Sequence, residues 1–175
     1  AEIAATRSTI GWTDEPFVVP ADVKAAWDAR ARGAQREAAW NAAFAAYAKA
    51  YPAEAAELQR RIAGALPQAY ATALQSALEA AATKRETIAT RKSSQNAIQA
   101  LAPLVPEFVG GSADLAPSNL TMWKGCREIK PETIAEGGNY IHYGVREFGM
   151  AAIMNGLVLH GGFRPFGGTF LMFSE

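Results

Sequence analysis

The chain has 175 residues, with 17 basic and 17 acidic side chains and 50% hydrophobic residues. It can therefore bury a core, while its zero net charge provides no field that would attract nucleic acid or an acidic membrane. The single cysteine cannot form an internal disulfide, and the longest nearly apolar run, residues 148–159, is shorter than the about 20 residues of a membrane span. We therefore expect a cytoplasmic protein without a transmembrane segment, whose partners are small molecules or proteins.

The first hundred residues are rich in alanine and predict a mostly helical scaffold. Residues 10–20 contain two prolines and predict an extended connector. Residues 20–51 predict one or two amphipathic helices, with Gly33 as the break between them. Residues 53–65 and 68–82 predict two more helices, separated by a glycine and a proline.

The next predicted helix, residues 84–102, places an arginine on a partly apolar face. Its stripe at steps of three and four consists of Ile88, Arg91, Gln95, Ile98 and Ala102. A guanidinium on such a face needs an anion, because an unpaired buried charge costs several kcal/mol. Two alternatives stay open at this point: a structural pair between Arg91 and a carboxylate, and a contact of Arg91 with the phosphate or carboxylate of a ligand.

Glycine becomes frequent after residue 108, where the pattern changes to short strands and turns. Residues 107–114 predict a strand that runs into the polar turn Gly-Gly-Ser-Ala-Asp. Ligands of open α/β sheets bind just beyond the carboxyl ends of strands, and this turn has a suitable composition. The same turn is also ordinary in proteins that bind nothing there. Neither a Walker motif nor a dinucleotide glycine motif is present.

A second predicted strand, residues 139–145, leads into a helix that begins at Arg146 and carries apolar residues on most sides. We expect this helix to be buried. Glu147 lies in its first turn, where free N–H groups and the helix dipole favour an anion. Two interpretations of Glu147 stay open: a capping carboxylate paired with Arg146, and a desolvated carboxylate that bonds a ligand nitrogen. His142 and His160 lack metal-ligand spacing, and we expect no metal site in this chain.

Residues 161–168 predict a turn-rich passage before the final apolar segment. At this point four strings together resemble one family, the transketolases of the bacterial type, which are thiamine-diphosphate enzymes. The strings are residues 90–96 (TRKSSQN), 110–115 (GGSADL), 139–150 (NYIHYGVREFGM) and 169–173 (TFLMF). Four such strings in this order are highly specific, and the similarity runs through essentially the whole chain.

The resemblance implies an α/β fold of the thiamine-diphosphate-binding type, with a parallel sheet flanked by helices and preceded by a largely helical connector. A transketolase is several times longer than this chain, so the resemblance implies a central fragment. Residues 1–55 would be the carboxyl-terminal segment of the diphosphate-binding domain with its linker helices. Residues 56–175 would be the amino-terminal part of the pyrimidine-binding domain.

The resemblance also assigns residues to roles. Glu147 matches the catalytic glutamate of the family, which bonds N1′ of the aminopyrimidine from the opposite subunit of a dimer. Arg91 and Ser118 match the pair that grips the phosphate of the sugar, which favours the ligand alternative for Arg91. Phe173 matches the aromatic that packs on the aminopyrimidine ring, and Phe170 its companion. Asp114 matches an acid near the cofactor.

The reaction implied is the reversible transfer of a two-carbon ketol unit from a ketose phosphate to an aldose phosphate, as in the pentose phosphate pathway and the Calvin cycle. The implied assembly is a homodimer with thiamine diphosphate and Mg²⁺ or Ca²⁺. The implied substrates are xylulose 5-phosphate, ribose 5-phosphate, sedoheptulose 7-phosphate, glyceraldehyde 3-phosphate, erythrose 4-phosphate and fructose 6-phosphate.

Two kinds of alternative remain. Another thiamine-diphosphate carboligase, such as dihydroxyacetone synthase or deoxyxylulose-phosphate synthase, is similar, but the latter does not combine the GGSADL and HYGVRE strings. A non-catalytic subunit of the same fold would have little reason to retain Glu147, Arg91, Ser118 and Phe173 together. The metal and diphosphate ligands of the family lie outside this chain, so we expect the fragment alone to be inactive.

Overall fold

The computed structural model describes residues 1–132 and 134–174. By its internal contacts the chain divides into two compact units, Ala1–Pro52 and Ala53–Glu175. The first unit contains helices only, and the second contains the sheet. The domain boundary expected at residue 55 stays a prediction.

Three helices form the first unit: α1 (Glu2–Thr9), α2 (Ala21–Trp27) and α3 (Arg30–Ala50). The predicted break at Gly33 is wrong, because Gly33 lies inside α3. The chain breaks instead at Asp28, whose carboxylate accepts hydrogen bonds from the backbone N–H of Arg30 at 3.1 Å and from its guanidinium. A side-chain acceptor just before a helix satisfies a free N–H of its first turn, whereas one glycine inside a helix costs only about 1 kcal/mol.

The helices of the second unit are α4 (Pro52–Ile62), α5 (Tyr70–Lys84), α6 (Thr90–Leu101), α7 (Ala116–Asn119) and α8 (Glu147–His160). The helix predicted for residues 84–102 begins later than expected, at Thr90. Arg85 follows α5 with a φ of 48°, in the left-handed region that commonly ends a helix. Because α6 begins only at Thr90, its first turn is exposed, and its partly buried residues begin at Gln95.

The sheet confirms the predicted α/β class with parallel strands. It consists of β1 (Phe108–Ser112), β2 (Tyr140–His142) and β3 (Arg164–Gly168), in the order β2–β1–β3 and all parallel. The prediction that residues 161–168 form only a turn-rich passage is wrong, because β3 occupies most of it. Glycines and Pro165 hide this strand in the sequence. A Cβ at position 167 would lie 2.8 Å from the sulfur atoms of Met150 and Met154, so a larger residue there would force these flexible side chains to shift.

Aromatic rings fill the space between β1, β3 and the segment that follows α7. The rings of Phe108 and Phe166 stack with centroids 4.5 Å apart, and Trp123 meets both edge-on. Tyr140 is fully buried, and its hydroxyl lies 2.6 Å from that of Thr121. These contacts fix the sheet against the loop after β1.

The expectation that α8 is buried on most sides is wrong for this chain. Met150 is its one buried residue, while Phe148 is 90% and Leu159 87% exposed. The helix packs on β3 through Met150 and Met154, and no described residue covers its other faces. Nor has any helix within residues 1–132 and 134–174 the length and apolarity that a membrane span requires.

Candidate active site

The three strands end at the same edge of the sheet. Ser112, the last residue of β1, pairs in register with His142 and with Gly168, the last residues of β2 and β3. The carboxyl ends of parallel strands therefore bring together three loops that are far apart in sequence. Four of the predicted site residues follow these strand ends: Asp114 after β1, Glu147 after β2, and Phe170 and Phe173 after β3.

A cavity of about 470 Å³ opens beside this edge and brings Arg91, Ser118 and Phe170 together. Arg91 comes from the first turn of α6, Ser118 from α7 and Phe170 from the segment after β3. Its remaining wall includes Ser94, Asn119, Thr121 and Thr169. A cavity with one guanidinium and several hydroxyl groups suits a small polyhydroxylated anion.

Arg91 does not lie in the partly apolar environment that the helical stripe from Ile88 to Ala102 predicted. The residue is exposed, because α6 begins at Thr90 and its first turn lies beyond the apolar contacts of Ile98 and Ala102. Within the described residues Arg91 forms no ion pair, so the structural Arg–carboxylate pair is not seen. Its guanidinium lines the cavity with Ser118 and is available to an anion.

Asp114 and Ser118 lie on one tight loop after β1. Asp114 and the next residue, Leu115, have φ angles of 65° and 47°, so two successive residues other than glycine are left-handed. Each such residue costs about 1–2 kcal/mol. The backbone N–H of Ser118 donates to the carbonyl of Leu115 at 2.8 Å, which closes the turn into α7. Asp114 is exposed at the tip of the loop.

Glu147 is the first residue of α8 and is half-buried. Its carboxylate forms no hydrogen bond or ion pair with any residue in the described part of the chain. Arg146 instead donates from Nη1 to the carbonyl of Tyr143 at 3.1 Å. Glu147 is therefore not paired with Arg146, and the choice between a capping carboxylate and one that bonds a ligand nitrogen stays a prediction. The carboxylate is left for another partner at a helix amino terminus, where an anion is favoured.

The aromatic pair predicted for the cofactor lies after β3. The ring centroids of Phe170 and Phe173 are 6.1 Å apart, with the ring planes at 81°. Phe170 is half-buried in the wall of the cavity, whereas Phe173 lies in a one-turn 3-10 helix and is 49% exposed. Phe173 therefore presents ring surface at the same edge of the sheet.

Two buried hydroxyl groups at this edge have no hydrogen-bond partner among the described residues. They are those of Tyr143, one residue after β2, and Thr169, one residue after β3. Tyr143 is 5% exposed, and burial raises the pKa of its phenol. Buried hydroxyl groups without a hydrogen-bond partner are rare in native proteins and cost free energy.

The histidines have local partners. Nε2 of His142 lies 2.9 Å from a carboxylate oxygen of Glu128, and Nδ1 of His160 lies 3.0 Å from the carbonyl of Gly161. No group of three or more potential metal ligands occurs within residues 1–132 and 134–174. The expectation that metal ligands lie elsewhere stays a prediction.

Three further residues line the same cavity and were not predicted from the sequence: Ser94, Asn119 and Thr169. One signal could have found Ser94, because it follows Arg91 by three residues on the same helix face. For Asn119 and Thr169 no periodic pattern was available, because both lie at the ends of short irregular elements.

Comparisons with known proteins match this architecture. The family model "Transketolase, pyrimidine binding domain" matches residues 86–175, and "Transketolase, thiamine diphosphate binding domain" matches residues 1–67. Transketolase 1 of Vibrio cholerae is 59% identical over 174 residues, which are 99% of this chain and 26% of that protein. Transketolase 1 of Escherichia coli is 55% identical over 175 residues, again 26% of its length.

A solved structure of transketolase from Pichia stipitis, in complex with sedoheptulose 7-phosphate, superposes with a TM-score of 0.78 at 39% identity. It is matched over 96% of this chain and 25% of its own. The chain thus spans about a quarter of the length of its relatives. Its parallel sheet and its matched domains are those of the thiamine-diphosphate-binding α/β class. Within that class, the chain belongs to the transketolase family.

Proposed function

We propose that the full-length protein is a transketolase, which transfers a two-carbon ketol unit reversibly from a ketose phosphate to an aldose phosphate. The observation that carries the proposal is the cavity shared by Arg91, Ser118 and Phe170 at the carboxyl edge of the sheet. These residues come from three separate parts of the chain, and the same cavity suits the phosphorylated, hydroxyl-rich ligands that such a transfer requires. Family membership makes this chemistry the expected one.

In this proposal Arg91 and Ser118 bind the phosphate group of the sugar. The guanidinium supplies a positive charge and a planar fork of N–H donors, which fits phosphate oxygens better than an ammonium does. The hydroxyl of Ser118 adds a donor from a different element that lines the same cavity. The sugars proposed are the ketose and aldose phosphates of the pentose phosphate pathway, and the Pichia stipitis relative was solved with one of them, sedoheptulose 7-phosphate.

The residues at the edge of the sheet fit the aminopyrimidine of thiamine diphosphate. Glu147 would bond the ring nitrogen N1′, Phe173 and Phe170 would pack on the ring, and Asp114 would lie close to the cofactor. The unpaired carboxylate of Glu147, the exposed ring of Phe173 and the unpaired hydroxyl of Tyr143 support this fit. When bound, the cofactor supplies a carbon nucleophile for the ketose carbonyl. The part of Glu147 is to hold a shared proton at N1′.

We propose further that the active enzyme is a cytoplasmic homodimer with its active sites at the interface. The exposed apolar side chains of α8, among them Phe148 and Leu159, are compatible with this assembly, because a large apolar helix surface is normally covered, here by the rest of the full-length chain and by a partner subunit. Glu147 begins the same helix, so the interface would enclose it. The diphosphate and the Mg²⁺ or Ca²⁺ would be held by residues outside this chain, which alone would be inactive.

The substitution Glu147→Ala in the full-length enzyme tests the proposal. We expect turnover in ketol transfer between phosphorylated sugars to fall by orders of magnitude, on the order of 10²–10⁴-fold for a lost proton-sharing group. Circular dichroism and the thermal unfolding midpoint should be unchanged, because the carboxylate has no partner in the described part of the chain. Glu37→Ala, an exposed glutamate on α3, is the matched control. Near-normal turnover of Glu147→Ala would refute the proposal.

A further inference from the structure

The loop that carries Asp114 and Ser118 is held by a three-way hydrogen-bonded contact between Ser112, Asp114 and Asn119. Ser112 ends β1 and is 2% exposed, and its Oγ donates to the backbone carbonyl of Asp114 at 2.5 Å. Nδ2 of Asn119 donates to Oγ of Ser112 at 2.7 Å and to the carbonyl of Asp114 at 3.1 Å. We call these three residues the Ser112–Asn119 clasp.

Donors and acceptors match throughout the clasp. Nδ2 of Asn119 lies within hydrogen-bonding distance of both the Ser112 hydroxyl and the Asp114 carbonyl, and the Ser112 hydroxyl can donate to the carbonyl of Asp114 at 2.5 Å or to that of Gly168 at 3.2 Å. A carbonyl only accepts, so the amide nitrogen and not the amide oxygen must face Asp114. The clasp therefore requires an asparagine side chain in one orientation.

The clasp opposes the backbone cost of the loop. Asp114 and Leu115 are left-handed without being glycine, a conformation that persists only where the surrounding structure holds it. The held carbonyl belongs to Asp114 itself, and Asn119 directly follows Ser118 in α7. One side chain thus ties the end of β1 to both residues that face the site.

We infer that Asn119 is a positioning residue: through the Ser112–Asn119 clasp it holds the hydroxyl of Ser118 and the carboxylate of Asp114 in place for the sugar phosphate and the cofactor. This inference rests on the proposed function and assigns to Asn119, which also lines the cavity, a positioning role through Ser112 and Asp114. Loss of the clasp lets the loop relax toward ordinary φ angles. Ser118 then shifts in the cavity that it shares with Arg91, and the phosphate loses one of the two side chains proposed to bind it.

The test uses Asn119→Leu and Ser112→Ala in the full-length enzyme. Both are neutral, so neither adds a charge that would repel phosphate. For each variant, KM is measured for a phosphorylated ketose and for an unphosphorylated ketose donor. The dissociation constant of thiamine diphosphate is measured by equilibrium titration, and the unfolding midpoint by calorimetry. Asn41→Leu, an exposed asparagine on α3, is the matched control.

We expect KM for the phosphorylated donor to rise about tenfold in each variant, in keeping with the loss of one or two hydrogen bonds, and KM for the unphosphorylated donor to change less than about twofold. The dissociation constant of thiamine diphosphate should also rise, because Asp114 moves with the loop. In the double variant the effects should not add, because either substitution alone opens the clasp.

A lower unfolding midpoint with an unchanged ratio of the two KM values would overturn the inference, because a merely structural residue destabilises without selecting between donors. Fully additive effects in the double variant would overturn it as well. If one variant does not fold, the ratio of the two KM values is measured in the other variant. These outcomes are read in an active enzyme and leave the proposed function standing, whereas an absence of ketol transfer in the unmodified enzyme would refute that function.

Discussion

Arg60 and Glu107 form a two-point ion pair that joins α4 to the amino end of β1. Nη1 and Nη2 of Arg60 each lie 2.8 Å from a different carboxylate oxygen of Glu107. Glu107 is 3% exposed, and Nε of Arg164 in β3 lies 3.6 Å from the same carboxylate. Burial is the largest single influence on the pKa of the Glu107 carboxyl and raises it. The hydrogen bonds from Arg60, a backbone hydrogen bond and the charges of Arg60 and Arg61 together outweigh burial and hold that pKa below its ordinary value.

Removing the buried carboxylate should destabilise the protein strongly. Glu107→Ala leaves Arg60 and Arg164 without their common partner in a largely dry site, and we expect a loss of about 3–5 kcal/mol in the free energy of unfolding. Urea unfolding of the full-length enzyme, followed by circular dichroism, measures this loss. Glu37→Ala on the exposed face of α3 should change little. An equally small effect at Glu107 would mean that the pair adds nothing to the fold.

The stability of the protein at low pH should depend on the same cluster of charges around Arg60. Hydrogen bonds from Arg60 and Arg61 lower the pKa of Glu57 to about 2. A carboxyl with a depressed folded pKa contributes stability above its unfolded pKa of about 4.3 and loses it as the pH falls toward the folded value. The unfolding midpoint should therefore fall between about pH 4.3 and pH 2. In Glu57→Gln the unfolding midpoint should depend less on pH across this range. An unchanged pH dependence in the variant would contradict the contribution of Glu57.

Position 111 in β1 should accept only glycine. A Cβ there would lie 1.8 Å from the carbonyl oxygen of Ile141 in β2, and backbone cannot move aside as a flexible side chain can. We expect Gly111→Ala to cost about 3 kcal/mol or more, at the upper end of overpacking effects. Gly33→Ala is the opposite case, because nothing lies within 4 Å of its Cβ position inside α3. It should raise stability by about 0.5–1 kcal/mol. Thermal unfolding of both variants measures the contrast.

Arg91→Ala should separate phosphorylated from unphosphorylated substrates. The guanidinium lines the cavity without an ion pair in the described part of the chain, so its removal should leave folding intact. We expect KM for phosphorylated sugars to rise by about tenfold to a hundredfold, in keeping with the loss of a charged hydrogen bond, with little change for unphosphorylated donors. Arg36→Ala on α3 is the matched control. Equal losses for both kinds of donor would indicate a structural arginine.

Local patterns predicted the helical segments that became α2 to α6 and α8, and two of the three strands, because alanine-rich periodic segments and the Phe-Val-Gly-Gly run carry their own signal. They predicted neither α1 nor the four-residue α7. The third strand was missed because its glycines and proline are typical of turns. The space at Gly167 is limited by Met150 and Met154, which lie on a different element. The pairing of Arg60 with Glu107 could not be predicted either, because the two residues are 47 positions apart and follow no common period.

The candidate site likewise contains residues that sequence patterns indicated and contacts that they did not. Glu147 and Arg91 stood out as charges in unusual apolar patterns, which raised the question of their partners. Both turned out to be unpaired within the described chain, for reasons that required coordinates: Arg146 bonds Tyr143, and α6 begins only at Thr90. The clasp at Asn119 was beyond sequence reasoning, because its geometry depends on two left-handed residues that are not glycine.

Because β2, β1 and β3 are parallel, the loops that leave them and the segments that enter them lie at opposite edges of the sheet. Only the entering segments are free to vary in length. The loops that leave the carboxyl ends of the strands hold Asp114, Glu147 and Phe170, whereas the segment that enters β2 from Cys126 onward reaches the sheet at its opposite edge. Extra residues gained there would lengthen the protein without displacing these candidate site residues, since a hydrogen-bonded sheet stands between the two edges. Related enzymes can therefore be expected to differ in length before β2 and to agree in length after it.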